Sequence, residues 1–243
     1  MNEDRAFRWR IGTSGWNYRH WRGIFYPEDV PQSKWLEYYA EHFDTVELNA
    51  TFYRLPAPST FKRWYDRTPK GFLWSIKASK FITHTRRLKD CQEPLGRLYG
   101  AVEPLQEKLG VILFQLPPSL QFDPSLAEGF FSLLKRGFRY ALEVRHKSWI
   151  QEEALQLIRS HNIAFCISDT AGRYPYHEAI TAEFLYIRLH GSKKLYASCY
   201  TEEEIAQWAK KLRRWNTPGF IYFDNDFQGH APKNALQLLE ALR

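Results

Sequence analysis

The sequence predicts an α/β protein built as a single TIM-type (β/α)8 barrel. Three observations predict it. Eight short, apolar, β-rich runs recur along the 243 residues. Helical patterns fall between most of them. No linker, internal repeat or low-complexity tract divides the chain, so residues 1–243 read as one domain. Brief apolar strands suit a sheet buried on both faces, and eight strand–helix alternations in this length fit a barrel. The runner-up is an open doubly wound sheet, which usually has fewer strands.

The strand candidates are RIGTS (10–14), TVELN (45–49), LWSIKA (73–78), GVILFQL (110–116), YALEV (140–144), AFCIS (164–168), FLYIRLH (184–190) and FIYFD (220–224). Between the first two, SKWLEYYAEHF (33–43) reads as a helix with Ser33 as N-cap. PSTFKRWYDR (58–67) follows strand two. EPLGRLYGAVEPLQEKL (93–109) follows strand three and is interrupted at Pro104, which lacks a backbone donor. DPSLAEGFFSLLKRG (123–137) opens on an Asp cap and Pro and ends in Gly. QEEALQLIRSHN (151–162) follows strand five, whereas 169–183 reads as loop. TEEEIAQWAKKLRRW (201–215) carries a Thr201/Glu204 capping box, with acids in its first turn and bases in its last. APKNALQLLEALR (231–243) is the last helix.

Composition narrows the partners. Aromatic residues make up 16% of the chain, more than one core absorbs, so some rings belong in clefts or at interfaces. The net charge of +7 and pI of about 9.2 suggest an anionic partner. Cys91, Cys166 and Cys199 are far apart and lack metal-ligand spacing, which predicts free thiols in a reducing cytoplasm. The opening MNEDRAFRWR has no apolar signal-peptide core, and no apolar run approaches the ~20 residues of a membrane span. A cytoplasmic protein with no membrane partner is therefore expected. The oligomeric state leaves no mark on the sequence.

In a barrel of this kind the active site lies at the C-terminal strand ends. There the sequence places Glu47, Asn49 and then Tyr53; Lys77 and Lys80; Gln115; Glu143 and Arg145; Asp169; Arg188 and His190; and Asn225 within FDND. Residues two apart on a strand share a face. Glu47/Asn49, Glu143/Arg145 and Arg188/His190 are such pairs, and inward-pointing they converge on the mouth. An internal ion network is the plain structural reading. A cationic surplus of Lys77, Arg145 and Arg188 over Glu47 and Glu143 points instead to a bound phosphate or carboxylate, unless Asp169 and Asp224 also point in. The segment 62–89, with nine Lys/Arg and one acid, adds to that surplus. A divalent metal on Glu143, Asp169, His190 and Asp224 is the minor alternative to no cofactor, because the neighbouring cations would repel it. GxGxxG, GxxxxGK[ST] and GxSxG motifs are absent.

The blocks IGTSGWNYRHWRGIFYP, FDTVELNATFY, KASKFITH, LGVILFQLPPSL, ALEVRHKSW and YIRLHG run in order from residue 11 to 191. Together they resemble the YecE-like family, domain of unknown function number 72, and YFDND extends the resemblance to the last strand. The resemblance implies a TIM-barrel fold and carries over no reaction. The family often has FNN where this chain has FDND. The blocks also bring His84, His146 and Trp149 to the strand ends chosen above.

These readings converge on an enzyme for an anionic, phosphorylated or carboxylated small molecule, sugar derivatives included. Glu47 or Glu143 would be general base and His190 the acid. Lys77, Arg145 and Arg188 would hold the anion, and Lys77 is also a candidate Schiff-base amine. Trp16, Tyr53 and Trp149 would wall the site, with Asn49, Lys80, His84, Gln115, His146, Asp169 and Asn225 as further binding groups. The alternatives are a nucleic-acid-binding protein or metal-dependent phosphodiesterase using the basic, ring-rich rim, and a non-catalytic ligand-binding module.

Overall fold

The computed structural model describes residues 9–243; the stretch read for a signal peptide lies mostly outside them. Its frame is eight parallel strands: β1 (Trp9–Thr13), β2 (Thr45–Leu48), β3 (Leu73–Lys77), β4 (Leu109–Gln115), β5 (Arg139–Glu143), β6 (Ile163–Asp169), β7 (Leu185–Leu189) and β8 (Gly219–Phe223). They form one sheet in the order β1-β8-β7-β6-β5-β4-β3-β2. The two ends meet at the C-terminal side, where Ser14 bridges to Glu47 and the Gly15 amide donates to the Glu47 carbonyl at 2.8 Å. That near-closure makes a barrel, as the sequence predicts.

Gly12 sets the seam. A Cβ there would lie 2.2 Å from the Thr45 carbonyl oxygen, so only glycine lets β1 approach β2 this closely.

The helices follow the sequence with boundary shifts. They are α1 (Trp35–His42), α2 (Ala50–Tyr53), α3 (Pro58–Asp66), α4 (Gln92–Val102), α5 (Pro124–Phe131), α6 (Glu152–Ser160), α7 (Glu202–Trp215) and α8 (His230–Leu242). Ser33 does not cap α1: Gln32–Lys34 form a separate tight turn, and the helix starts behind it. After Val102 the α-helix gives way to a tighter turn, Glu103–Lys108, which contains Pro104. Asp123 Oδ1 accepts from the Leu126 amide at 2.9 Å, and the Thr201/Glu204 capping box is formed. Among the short elements with no sequence signal are the single turn α2 and a wide turn at Phe81–Thr85. Both lie directly beyond strand ends, at the mouth.

Two apolar layers result. The larger lies between strands and helices. A separate cluster, which includes Leu73, Leu113, Ala141, Cys166, Tyr186 and Tyr222, fills the inside of the barrel. Two residues further along these strands come Ser75 and then Lys77, Gln115, Glu143, Arg188 and Asp224. Strand alternation therefore turns that charged set inward, above an apolar and aromatic floor. Among the described residues, no helix is long and apolar enough to cross a membrane.

Candidate functional site at the barrel mouth

Arg188 is the centre of the charged layer. Its side chain is 0% exposed. Nε donates to both Glu47 oxygens, at 3.0 and 3.1 Å. Nη2 reaches Glu47 Oε1 at 2.7 Å, Asp224 Oδ2 at 3.0 Å and Asn49 Oδ1 at 3.3 Å. Nη1 donates to Glu143 Oε2 at 2.7 Å and lies 3.4 Å from His190 Nε2. All three nitrogens are spent inside the network, which joins β7 to β2, β5 and the end of β8.

The acids are equally committed. Glu47 also accepts from Ser14 Oγ at 2.6 Å and from the Tyr186 hydroxyl at 2.5 Å. Glu143 accepts from Gln115 Nε2 at 2.8 Å and Arg145 Nε at 3.2 Å. Burial works to raise the Glu143 carboxyl, but Arg188 first, then Arg145, His190 and Lys77, hold it far below the usual carboxylate range. Burial and Arg188 oppose each other at Asp224 too, and Arg188, helped by His190, prevails: its pKa is lowered. His190 is fully buried. Its Nδ1 lies 2.9 Å from Asp224 Oδ2, without the alignment of a good hydrogen bond, and Tyr196 stands edge-on to the ring at 5.4 Å.

Asp224 changes the charge count. Glu47, Glu143 and Asp224 face Arg188, Arg145 and Lys77, so the layer is balanced when His190 is neutral. Two of the cations nevertheless keep donors to spare. Among the described residues, the Lys77 amine has no hydrogen-bond or ion-pair partner; it sits 4.5 Å from the centre of the Phe52 ring. Arg145 uses Nε on Glu143 and lies over Tyr174 at 4.4 Å, leaving both Nη groups without a partner among the described residues. Burial, reinforced by Arg188, lowers the Lys77 amine to about 8. His84 stands beside this pair: burial and the charges of Arg145 and Lys77 lower its pKa. Its Nδ1 is 2.9 Å from Thr83 Oγ1, its ring packs edge-on to Phe52, and Nε2 has no partner among the described residues.

The remaining expected residues lie around or behind this layer. Tyr53 is 74% exposed, with Lys80 Nζ 5.8 Å from its ring centre. Trp149 is fully buried against Phe122, its indole donating to the Leu120 carbonyl; it packs beneath the loops rather than walling an open space. His146 caps the turn Lys147–Ile150 through Ser148. Asn225 donates to the Ser198 carbonyl and Asn234 Oδ1, tying the loop after β7 to α8. Asp169 points away from the network, accepting from the Tyr200 hydroxyl at 2.9 Å and the Ala171 amide at 3.3 Å, and burial raises its pKa. Trp16 packs edge-on against Trp64 and Trp74 and, with Tyr18 and Asn49, lines a groove of about 430 Å³ beside the mouth.

The minor metal reading meets a poor donor set. Among the described residues no three His, Cys, Asp or Glu side chains gather as a ligand group. Asp169 is elsewhere, and Arg188 occupies the space between Glu143 and Asp224 with a fixed positive charge. The basic segment is also partly neutralised: Lys62 pairs with Asp66 and Arg67 with Glu37 on the outer surface. Tyr186 was not among the expected residues, although strand spacing alone puts it on the Arg188 face, two residues earlier. Tyr174 and Tyr196 sit in irregular loops, where no spacing marks them.

The eight parallel strands, with a charged layer at one end, define a TIM-barrel fold. The chain belongs to the family described as "Protein of unknown function DUF72", whose model matches residues 10–243. It is similar to UPF0759 protein YecE of Escherichia coli O157:H7, at 27% identity over 96% of this chain and 92% of that one. It is also similar to UPF0759 protein YunF of Bacillus subtilis (strain 168), at 25% identity over 96% and 94%. Among solved structures, a DUF72 family protein from Thermotoga maritima MSB8 superposes with a TM-score of 0.87 at 30% identity, covering 97% of this chain and 99% of that one. A second, from Enterococcus faecalis V583, reaches 0.83 at 20% identity, covering 96% and 95%, and shares the fold.

Proposed function

We propose that the protein is an enzyme that binds an anionic small molecule at the C-terminal mouth of the barrel and moves a proton on it. The observation that carries this reading is the contrast within the charged layer. Arg188 is saturated by Glu47, Glu143, Asp224 and Asn49, whereas Lys77 and the fork of Arg145 keep free donors. A guanidinium fork and an ammonium that both act on Glu143 and His84 suit a carboxylate or phosphate.

The division of labour follows from the bonding. Glu143 is a weak base while Arg188 and Arg145 hold its proton off, and Glu47 is fully occupied. Lys77, at about 8, has the value suited to general acid–base work near neutral pH. The acids then serve to fix Arg188 and Arg145, and His84 is the second proton carrier. His190, closed in behind Tyr196, orients Asp224.

The test is thermal unfolding of the wild type and Arg145→Gln against a panel of phosphorylated and carboxylated metabolites. A charge-assisted contact contributes about 1.5–3 kcal/mol, so Arg145→Gln should weaken an active compound roughly ten- to hundredfold. A panel that leaves the wild type unshifted, or a variant that binds as tightly, would refute the reading. Salt-sensitive binding of DNA or RNA in place of metabolites would favour the nucleic-acid alternative.

A further inference from the structure

Two lysines are buried in this barrel, and they are treated differently. Lys108, 5% exposed, donates to the Tyr65 carbonyl at 2.6 Å, the Thr68 carbonyl at 2.6 Å and Thr68 Oγ1 at 3.4 Å. That is what a structural lysine requires, because buried polar groups are normally hydrogen-bonded. Lys77, 9% exposed, has a ring beneath it and no acceptor among the described residues. Three carboxylates lie in the same layer, yet all are bonded to Arg188. The backbone around it is firmly held: Thr51 Oγ1 donates to the Lys77 carbonyl at 2.7 Å, fixing α2 against the end of β3.

From this arrangement we infer that Lys77 is a nucleophile that forms a Schiff base with an anionic carbonyl compound, whose carboxylate or phosphate lies on the free fork of Arg145. The inference rests on the anion-binding reading above and names its substrate class. A lysine kept only to hold an anion gains from full charge and pairing. The Lys77 site does the opposite: burial and the Arg188 charge both disfavour the ammonium. An amine that must offer its lone pair gains from both.

The step balances without a redox partner. The amine lone pair attacks the carbonyl carbon, a C–N bond forms, and the C=O π electrons pass to oxygen. The C–O bond then breaks and water leaves. Counted from the ammonium form, one of its three protons stays on the iminium nitrogen and two depart in the water. His84, half-buried beside Lys77 and Arg145 with Nε2 unpartnered, is placed to carry a proton to the departing oxygen.

The test traps the iminium in the wild-type protein. Glyoxylate, pyruvate or dihydroxyacetone phosphate is added with sodium borohydride at pH 8, with acetone as the uncharged control. The expected product is a single adduct of the compound's mass less one oxygen, mapped by fragmentation to the peptide carrying Lys77. At pH 8 an ordinary exposed lysine is less than about 1% neutral, so labelling at Lys77 should exceed that at Lys80 by roughly tenfold or more. It should also fall away with acetone and in Arg145→Gln. Labelling spread evenly over the lysines, or absent from Lys77, overturns the inference. Thermal protection by inorganic phosphate separates the two failures. Protection without an adduct leaves an anion site whose lysine is not a nucleophile. Neither protection nor adduct removes both readings.

Discussion

At the scale of single residues, the two buried cations of the mouth should respond to mutation in opposite ways. Arg188 is held by four acceptor residues, and Lys77 by none. The Lys77 amine falls to about 8 in the folded protein from an ordinary 10.5. Between those values the unfolded chain binds more protons than the native one, so stability rises with pH across that window. The full difference is about 3 kcal/mol, at 1.36 kcal/mol per unit. Lys77→Met should therefore be as stable as the wild type, or more so, at pH 7, and the gap should narrow towards pH 10.5. Urea unfolding at several pH values measures this; a variant destabilised at pH 7 would show that the amine is paired. Residue identity here was legible in part. The period-two pairs brought Glu47, Glu143 and Arg188 to one place. Which acid meets which base was not legible, because the partners lie on different strands and only packing across the barrel selects them. Asp224, one member of FDND among several, completes the balance for that reason.

At the scale of elements, the seam between β1 and β2 is the sensitive joint. Gly12→Ala forces a methyl into the Thr45 carbonyl and should cost about 1–3 kcal/mol or more, as overpacking does. Denaturant titration, with hydrogen exchange at the Gly15 amide, would localise the loss; unchanged protection there would mean that the strands can part without harm. The long elements were readable because periodicity and caps act locally. Asp123 and the Thr201/Glu204 box do in the structure what their sequence positions predict. The turns α2 and Phe81–Thr85 are too short to show a period. The first is held by contacts its own sequence does not display, such as Thr51 on the carbonyls of Leu48 and Lys77.

For the whole molecule, the internal ion network links fold and acid stability. Arg188 holds Glu143 and Asp224 below their ordinary values of 4.5 and 3.8 against burial. Groups lowered in this way contribute stability above about pH 4.5 and lose it as pH falls through the folded values. Asp169, raised by burial, works the other way and offsets part of the effect. The midpoint of urea unfolding should hold from pH 8 to about 5 and fall steeply below about 4.5. A stability flat down to pH 3 would mean that the acids are not ionised in the native barrel. The global architecture was legible because eight alternations allow few topologies. The capping and packing positions of Trp149, His146 and Asn225 were not, since a residue past a strand end can turn to the mouth or fold back beneath a loop.

The position of Arg188 also constrains how such a sequence can drift. Four polar side chains from two other strands and two strand ends or loops share one guanidinium, and no single exchange that removes a charge leaves the layer balanced. Replacing Arg188 strands three acids, whereas replacing one acid leaves the cation in surplus. A route from this network to an apolar interior therefore runs through intermediates poorer than either end. In a library of all single substitutions the arginine should be close to immutable. Viable replacements should emerge only in libraries that vary Glu47, Glu143 and Asp224 along with it, making the centre of the barrel a locked combination rather than a set of independent sites.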